Sequence, residues 1–221
     1  MADGLQSLTF LALILPFLAA AVAPWLTKAL KHNAAWVLAL APAFMFVHFL
    51  GYLGDVAGGQ TITGGYAWIP SLGVDFSWYL DGLSLVFALL ISGIGTLIVL
   101  YSGGYLKGHE HQGRFFSFIL MFMGAMQGLV VSDSFLTLFV FWELTSITSF
   151  LLIGFDHARG ASRCAALQAL VVTGLGGLSM LAGLIVIQVA TGAGSMSELL
   201  GSGDLLRQSP FYLIALVLIL G

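Results

Sequence analysis

The chain has 221 residues, of which 59% are apolar and only 8% are charged, and its formal net charge is -3. Soluble domains carry about 25% charged residues, so this composition excludes a soluble globular protein and makes the lipid bilayer the main solvent. No basic patch is present, which argues against a nucleic-acid partner. The single cysteine, Cys164, cannot form an internal disulfide and has no second thiol with which to bind a metal.

Charge-free apolar runs predict an all-α integral membrane protein with about seven transmembrane helices, since one span needs about 20 apolar residues. In chain order the predicted spans cover residues 4–27, 32–54, 82–106, two helices within 115–155, 164–190, and a last helix that begins after Pro210. This last helix is still apolar at residue 221, so we expect the sequence to be a fragment of a longer protein.

The run 115–155 would be about 60 Å long as one helix, which is too long for a single span. Asp133 lies near its middle, between Ser132 and Ser134. Aspartate and serine are good N-caps of helices. The sequence therefore predicts a tight turn at 132–134 that separates helices four and five.

The distribution of lysine and arginine predicts an N-terminus outside the cytoplasm. In that orientation six of the seven basic residues face the cytoplasm and only Arg207 lies outside, as the positive-inside rule favours. The six are Lys28, Lys31, Lys107, Arg114, Arg159 and Arg163. The outer acids are Asp3, Asp55, Asp75, Asp81, Asp133, Glu198 and Asp204. They indicate either a surface that attracts cations or ordinary loop acids.

The segment 55–81 is too polar to span the membrane. Gly58-Gly59 and Gly64-Gly65 are typical of turns, and residues 74–78 alternate between apolar and polar, which is a strand pattern. We predict a short external β-hairpin between helices two and three. Trp68, Trp78 and Tyr79 are predicted to lie at the membrane interface as an aromatic belt.

Glu143 is the residue most indicative of function, because it lies within two residues of the centre of the apolar run 134–155. An ionisable side chain at that depth costs about 2.5–3.5 kcal/mol on insertion scales, so some interaction must offset the cost. Two interpretations are open. Glu143 is either a neutral acid that hydrogen-bonds a neighbouring helix for packing, or a proton relay site or cation ligand, which we favour.

Several hydroxyls near Glu143 predict a polar lining on the same helix. Ser146 lies on the face of Glu143, three residues further along. Thr145, Thr148 and Ser149 add three more hydroxyls. Hydroxyls in membrane helices also bond back to their own backbone, so this pattern has a purely structural alternative.

The histidines give weaker signals. His48 lies well inside helix two, where it is either a packing group or a relay residue. His157 follows helix five at the predicted cytoplasmic end, so it is placed either to pass protons between water and Glu143 or simply to occupy a loop. His109 and His111 flank Glu110 in a predicted solvated turn. We predict no metal site and no cofactor.

Glycines on two helices predict close helix packing. Gly124 and Gly128 form a small-residue face on helix four. Gly174, Gly176 and Gly177 form a similar cluster on helix six. We interpret both groups as structural.

Several segments resemble the antiporter-like subunits of Mrp-type sodium/proton antiporters and of respiratory complex I. The resemblance to helices four and five rests on SDS at 132–134, FVFWELTS at 139–146 and LLIGF at 151–155. The stretch YLDGLS at 79–84 is similar to the entry into helix three. The stretches WIPSLG at 68–73 and ALQALVVTGLGGL at 166–178 resemble the Mrp A subunit, since the complex I homologue usually carries an arginine and an acid in the second stretch.

The resemblance implies a core of fourteen helices with two inverted repeats. Residues 1–106 would then hold helices one to three with the hairpin, and residues 107–221 would begin the first transport repeat. Glu143 would pair with a lysine of helix seven, expected just beyond Gly221, and would exchange protons or respond electrostatically to that lysine. The implied protein is a subunit of a bacterial plasma-membrane antiporter, with protons, sodium, lipid and other Mrp subunits as its partners.

Three alternatives stay open at this point. The chain could belong to a proton-pumping subunit of complex I, which couples quinone reduction to pumping. It could also be a structural subunit that only scaffolds a membrane complex. A membrane enzyme with a redox cofactor has little support, because His48 has no second histidine at ligand spacing.

Overall fold

The structure, a computed structural model, describes residues 2–69 and 74–220. In chain order the helices are α1 (Ala2–Leu30), α2 (Ala34–Leu38), α3 (Leu40–Leu50), α4 (Leu53–Ala57), α5 (Gly82–Tyr105), α6 (Gln112–Val131), α7 (Phe135–Ile153), α8 (Gly160–Thr191), α9 (Met196–Gly201), α10 (Gly203–Gln208) and α11 (Tyr212–Leu220). The strands β1 (Ile62–Ile69) and β2 (Val74–Leu80) form the sheet.

Within the described residues, six helical segments are long and apolar enough to cross a membrane. They are Gln6–Leu30, Ala34–Ala57, Gly82–Tyr105, Gln112–Val131, Phe135–Ile153 and Gly160–Thr191. The chain is therefore a multi-pass membrane protein, which confirms the predicted fold class. At the position of the predicted seventh span the structure has α11, of which nine residues are described, so the number of seven spans stays a prediction.

Helix α8 begins at Gly160, four residues before the predicted start at Cys164. The prediction followed the charge-free run and therefore began after Arg163. A helix of 32 residues is about 48 Å long, whereas the hydrocarbon core is about 30 Å thick. The charged first turn of α8 can thus remain helical outside the hydrocarbon.

The turn between α6 and α7 lies at the predicted position, but the predicted reason was wrong. Ser134 is the N-cap of α7, and its side chain makes no capping hydrogen bond. The Asp133 carboxylate instead accepts hydrogen bonds from the Ser197 backbone N–H at 2.8 Å and the Ser197 hydroxyl at 2.7 Å. Asp133 therefore caps α9, which is 64 residues away in sequence.

Backbone hydrogen bonds also fix the segment 132–134 between the hairpin and α9. The Asp133 N–H donates to the Ser77 carbonyl at 3.0 Å, and the Met196 N–H donates to the Asp133 carbonyl at 2.8 Å. The Phe135 N–H donates to the Gly194 carbonyl at 3.0 Å. These bonds hold the start of α7 in place at this end of the bundle.

The predicted hairpin is present as the antiparallel pair β1 and β2, and the residues that join the two strands, 70–73, lie outside the described residues. Gly64 and Gly65 belong to strand β1 and not to a turn. A Cβ at Gly64 would lie 2.6 Å from the Trp78 ring, so glycine here admits the indole. Trp78 is only 2% exposed, so its predicted place in an interfacial belt was wrong.

Helix α5 begins with a capping box, which explains the DGLS pattern at its start. The Ser84 N–H donates to Oδ1 of Asp81 at 2.9 Å, and the Asp81 N–H donates to the Ser84 hydroxyl oxygen at 2.8 Å. The hydrogen bond from the Ser84 side chain lowers the pKa of Asp81. Because the folded-state pKa is lowered, this contribution to stability is present at neutral pH and is lost as the pH falls through that pKa.

The predicted close packing at Gly124 and Gly128 is confirmed. A Cβ at Gly124 would lie 2.8 Å from the Phe17 ring of α1, and a Cβ at Gly128 would overlap the Phe141 ring of α7. Helix α6 therefore lies between α1 and α7. Helix α8 continues the bundle on the far side of α7.

Candidate functional site

Glu143 lies near the middle of α7 and points towards α8. Its Oε1 atom is buried and has no hydrogen-bond partner among the described residues. This oxygen lies so close to the backbone of Gly177 in α8 that a Cβ at Gly177 would overlap it. Glycine at 177 is therefore what allows the carboxyl group to lie between the two helices.

Trp142 lies beside Glu143 against the same glycine. A Cβ at Gly177 would lie 3.2 Å from Nε1 of Trp142, and this indole nitrogen is also buried without a partner in the described part of the chain. Most buried polar atoms in proteins are hydrogen-bonded, and leaving one unsatisfied costs about 1–3 kcal/mol. A buried donor and a buried acceptor, both without partners among the described residues, therefore lie together at Gly177.

Three of the four hydroxyls near Glu143 are hydrogen-bonded to their own helix. Thr145 and Ser146 both donate to the Trp142 carbonyl, at 2.7 and 3.3 Å. Thr148 donates to the Leu144 carbonyl at 2.8 Å. Ser149, one turn beyond Thr145, is half-buried. Thr145, Ser146 and Thr148 therefore fit the structural alternative, in which the hydroxyls bond back to the backbone of their own helix.

His48 is not brought near Glu143. Its Nε2 lies 3.0 Å from the Thr9 hydroxyl, which in turn lies 2.9 Å from the Tyr52 hydroxyl. Helix α3, which carries His48, packs on α1 and α5, whereas α7 packs on α6 and α8. His48, Thr9 and Tyr52 therefore form a separate polar cluster on the other side of the bundle.

His157 is exposed and lies beyond the end of α7. Its Nδ1 lies 3.3 Å from a terminal nitrogen of Arg114, and because guanidinium nitrogens only donate, Nδ1 must accept this hydrogen bond. The end of α7 at Ile153 is ten residues from Glu143, or about 15 Å along the helix. Protons could therefore pass from His157 to Glu143 only through intermediate groups.

Arg114, at the start of α6, is predicted from the sequence only as a charge on the cytoplasmic side. It donates to the Phe155 carbonyl at 2.7 Å, and its guanidinium carbon lies 5.1 Å from the centre of the Phe155 ring. Arg114 thus fixes the end of α7 and the position of His157. Gly177 and Trp142 were also missed as site residues, although Gly177 belongs to a glycine cluster that signalled close packing.

Two family models match this chain. Residues 68–116 match the N-terminus of chain 5 of NADH-ubiquinone oxidoreductase, or complex I. Residues 132–221 match the transmembrane region of NADH:quinone oxidoreductase and Mrp antiporters. The second match includes both Glu143 and Gly177.

Curated relatives carry the name Na(+)/H(+) antiporter subunit A1. The relative from Staphylococcus haemolyticus (strain JCSC1435) is 42% identical over 216 residues, which is 97% of this chain. The relative from Staphylococcus aureus is 41% identical over the same length. The chain spans 27% of the length of each of these relatives.

Solved structures agree with this relationship. A chain in the structure of the Mrp complex from Dietzia sp. DQ12-45-1b superposes with a TM-score of 0.82 at 32% identity, covering 95% of this chain and 22% of that one. The membrane-bound sulfane sulfur reductase, an archaeal respiratory membrane complex, shares the fold with a TM-score of 0.74 at 21% identity, covering 94% of this chain and 32% of that one. This chain therefore belongs to the family of antiporter-like membrane subunits that Mrp antiporters share with complex I, and it is similar to the antiporter A subunit.

Proposed function

We propose that this chain is part of a proton-translocating subunit of a multisubunit Na+/H+ antiporter, in which inward proton flow drives outward sodium flow. The observation that carries the proposal is the Glu143 carboxyl oxygen, buried at the middle of α7 against Gly177 without a hydrogen-bond partner among the described residues. A carboxylate in hydrocarbon needs a proton or a positive partner. Such a group can hold a proton and release it when a positive charge approaches.

The positive partner in this proposal is a lysine of a later helix, as the family resemblance implies. Among the described residues, no lysine or arginine lies within hydrogen-bond distance of the buried Glu143 oxygen. Approach of that lysine would favour the ionised carboxylate, and its departure would favour proton uptake. Glu143 would thus alternate between two protonation states during transport.

The location and topology belong to the same proposal. We place the protein in the bacterial plasma membrane with its N-terminus outside, because that orientation puts six of the seven basic residues in the cytoplasm. The β-hairpin then lies on the outer side. Residues 1–106 would form the accessory helices, and residues 107–221 would begin the transport repeat together with the other subunits of the complex.

Everted membrane vesicles test the proposed function. The full-length protein would be produced with its partner subunits in a host that lacks its own sodium/proton antiporters. Adding sodium should collapse a preformed pH gradient in these vesicles, and vesicles without this protein should not respond. The gradient reports proton movement directly, so the response requires coupled exchange.

The alternatives predict other outcomes of the same assay. A complex I subunit is the main alternative, because the two matching family models also describe that complex. It predicts pumping driven by NADH and quinone, with no response to sodium. A purely structural subunit predicts that variants of Glu143 transport normally. Either result would contradict the proposal.

A further inference from the structure

Gln127 of α6 is a buried polar residue for which the proposed transport mechanism has no use. Its side chain is 0% exposed, and neither Nε2 nor Oε1 has a hydrogen-bond partner among the described residues. A primary amide offers two N–H donors and an oxygen that accepts twice. Leaving such groups buried and unsatisfied is unfavourable, so a polar ligand for the amide is expected.

The contacts between α1 and α6 place Gln127 level with the Ala12 carbonyl. The two helices run antiparallel: the Ser117 hydroxyl donates to the Ala20 carbonyl at 2.7 Å, and Gly124 faces Phe17. Gln127 is therefore level with residues 10–14 of α1, which include Ala12. Pro16, one turn further along and fully buried, has no N–H to donate to the Ala12 carbonyl.

The contacts between α5 and α6 place Ser92 near the same level. Gly95 of α5 faces Met123, and Nε2 of Gln112 donates to the Gly103 carbonyl at 3.3 Å. This antiparallel register puts Gln127 level with residues 88–91 of α5, next to Ser92. The Ser92 hydroxyl donates to the Ala88 carbonyl at 2.6 Å, so its oxygen can still accept a hydrogen bond.

The residues level with Gln127 indicate which kind of ligand the site would bind. Ala12, Ala88 and Ser92 are small, and each is 0% exposed, so the backbone carbonyl and the hydroxyl can approach a small molecule. None of these groups carries a charge, which disfavours a cation in the interior. A buried water typically makes about three hydrogen bonds to otherwise unsatisfied polar groups. The Gln127 amide, the Ala12 carbonyl and the Ser92 oxygen match that requirement.

We propose that Gln127 binds an internal water between α1, α5 and α6, with the Ala12 carbonyl and the Ser92 hydroxyl as further partners. The site lies at the depth of the Glu143 region, since the adjacent Gly128 faces Phe141. It faces α1 and α5, on the other side of α6 from α7. The water site is therefore independent of the proposed function of Glu143.

X-ray footprinting of the full-length protein in its complex tests the proposal. Hydroxyl radicals generated from bound water oxidise the side chains next to that water. Met123 lies one turn from Gln127 and is 4% exposed. We expect Met123 to be oxidised several-fold faster in the wild type than in Gln127→Leu.

A second variant and a sodium series complete the test. Gln127→Ile is a second apolar variant without an oxidisable group, and it serves if Gln127→Leu fails to assemble. Met123 oxidation that persists unchanged in both variants would overturn the proposal. Loss of Met123 oxidation on adding sodium would also overturn it, because the site would then bind the cation.

Discussion

Glu143→Gln is expected to abolish sodium-driven proton movement in everted vesicles while the complex still assembles. Glutamine keeps the size and the hydrogen-bonding ability of the side chain, but it cannot release a proton or become negative. We expect a loss of about 100-fold or more, the scale on which removal of a positioned proton-transfer group acts. Transport would be compared at equal amounts of assembled complex.

Glu143→Asp is the matched control for this change. Aspartate keeps the titratable carboxyl group but withdraws it by one methylene from Gly177. We expect transport between that of the wild type and that of Glu143→Gln. Wild-type exchange by Glu143→Gln would contradict the proposed role and would favour the packing interpretation of Glu143.

Gly177→Ala is expected to have the second largest effect, although alanine is the smallest possible change at that position. A Cβ at Gly177 would overlap Oε1 of Glu143 and lie within 3.2 Å of the Trp142 indole nitrogen, so the carboxyl must move or the helices must separate. Displacing a reacting group by about 1 Å can reduce a rate about 100-fold. We expect exchange to fall by about 10- to 100-fold, and overpacking to cost about 1–3 kcal/mol of stability.

Gly176 supplies the control for this prediction on the same helix. A Cβ at Gly176 would meet nothing within 4 Å. Gly176→Ala should therefore leave exchange unchanged, and it should stabilise α8 slightly because alanine has a higher helix propensity than glycine. Thermal unfolding of the assembled complex measures the change in stability separately from the change in exchange. Equal exchange by the Gly177→Ala and Gly176→Ala variants would show that the Gly177 contact does not position Glu143.

Features that depend on one segment were predictable from the sequence. The first six spans follow from apolar runs, and the strand pattern at 74–78 appears as β2. Glu143 was identified because a lone acid in a hydrocarbon-length run carries a large energetic cost. The capping box at Asp81 is likewise local, since its two residues are three positions apart.

Features that depend on which helix faces which residue were not predictable. Asp133 looks like a local N-cap, but its carboxylate binds Ser197 across the fold. Trp78 looks like an interfacial aromatic, but Gly64 on the opposite strand makes room to bury it. Gly177 gains its significance only from the register between α7 and α8, because the adjacent Gly176 has the same sequence signature and no such contact.

The proposed change in the protonation of Glu143 is the central claim, and infrared difference spectroscopy tests it most directly. The C=O stretch of a protonated carboxylic acid would be recorded on the full complex at low and at high sodium. We predict a carboxylic acid band that changes with sodium and that is absent from Glu143→Gln. A sodium-dependent band of the same intensity in Glu143→Gln, or no sodium-dependent band in the wild type, would contradict the claim that Glu143 takes up and releases a proton during exchange.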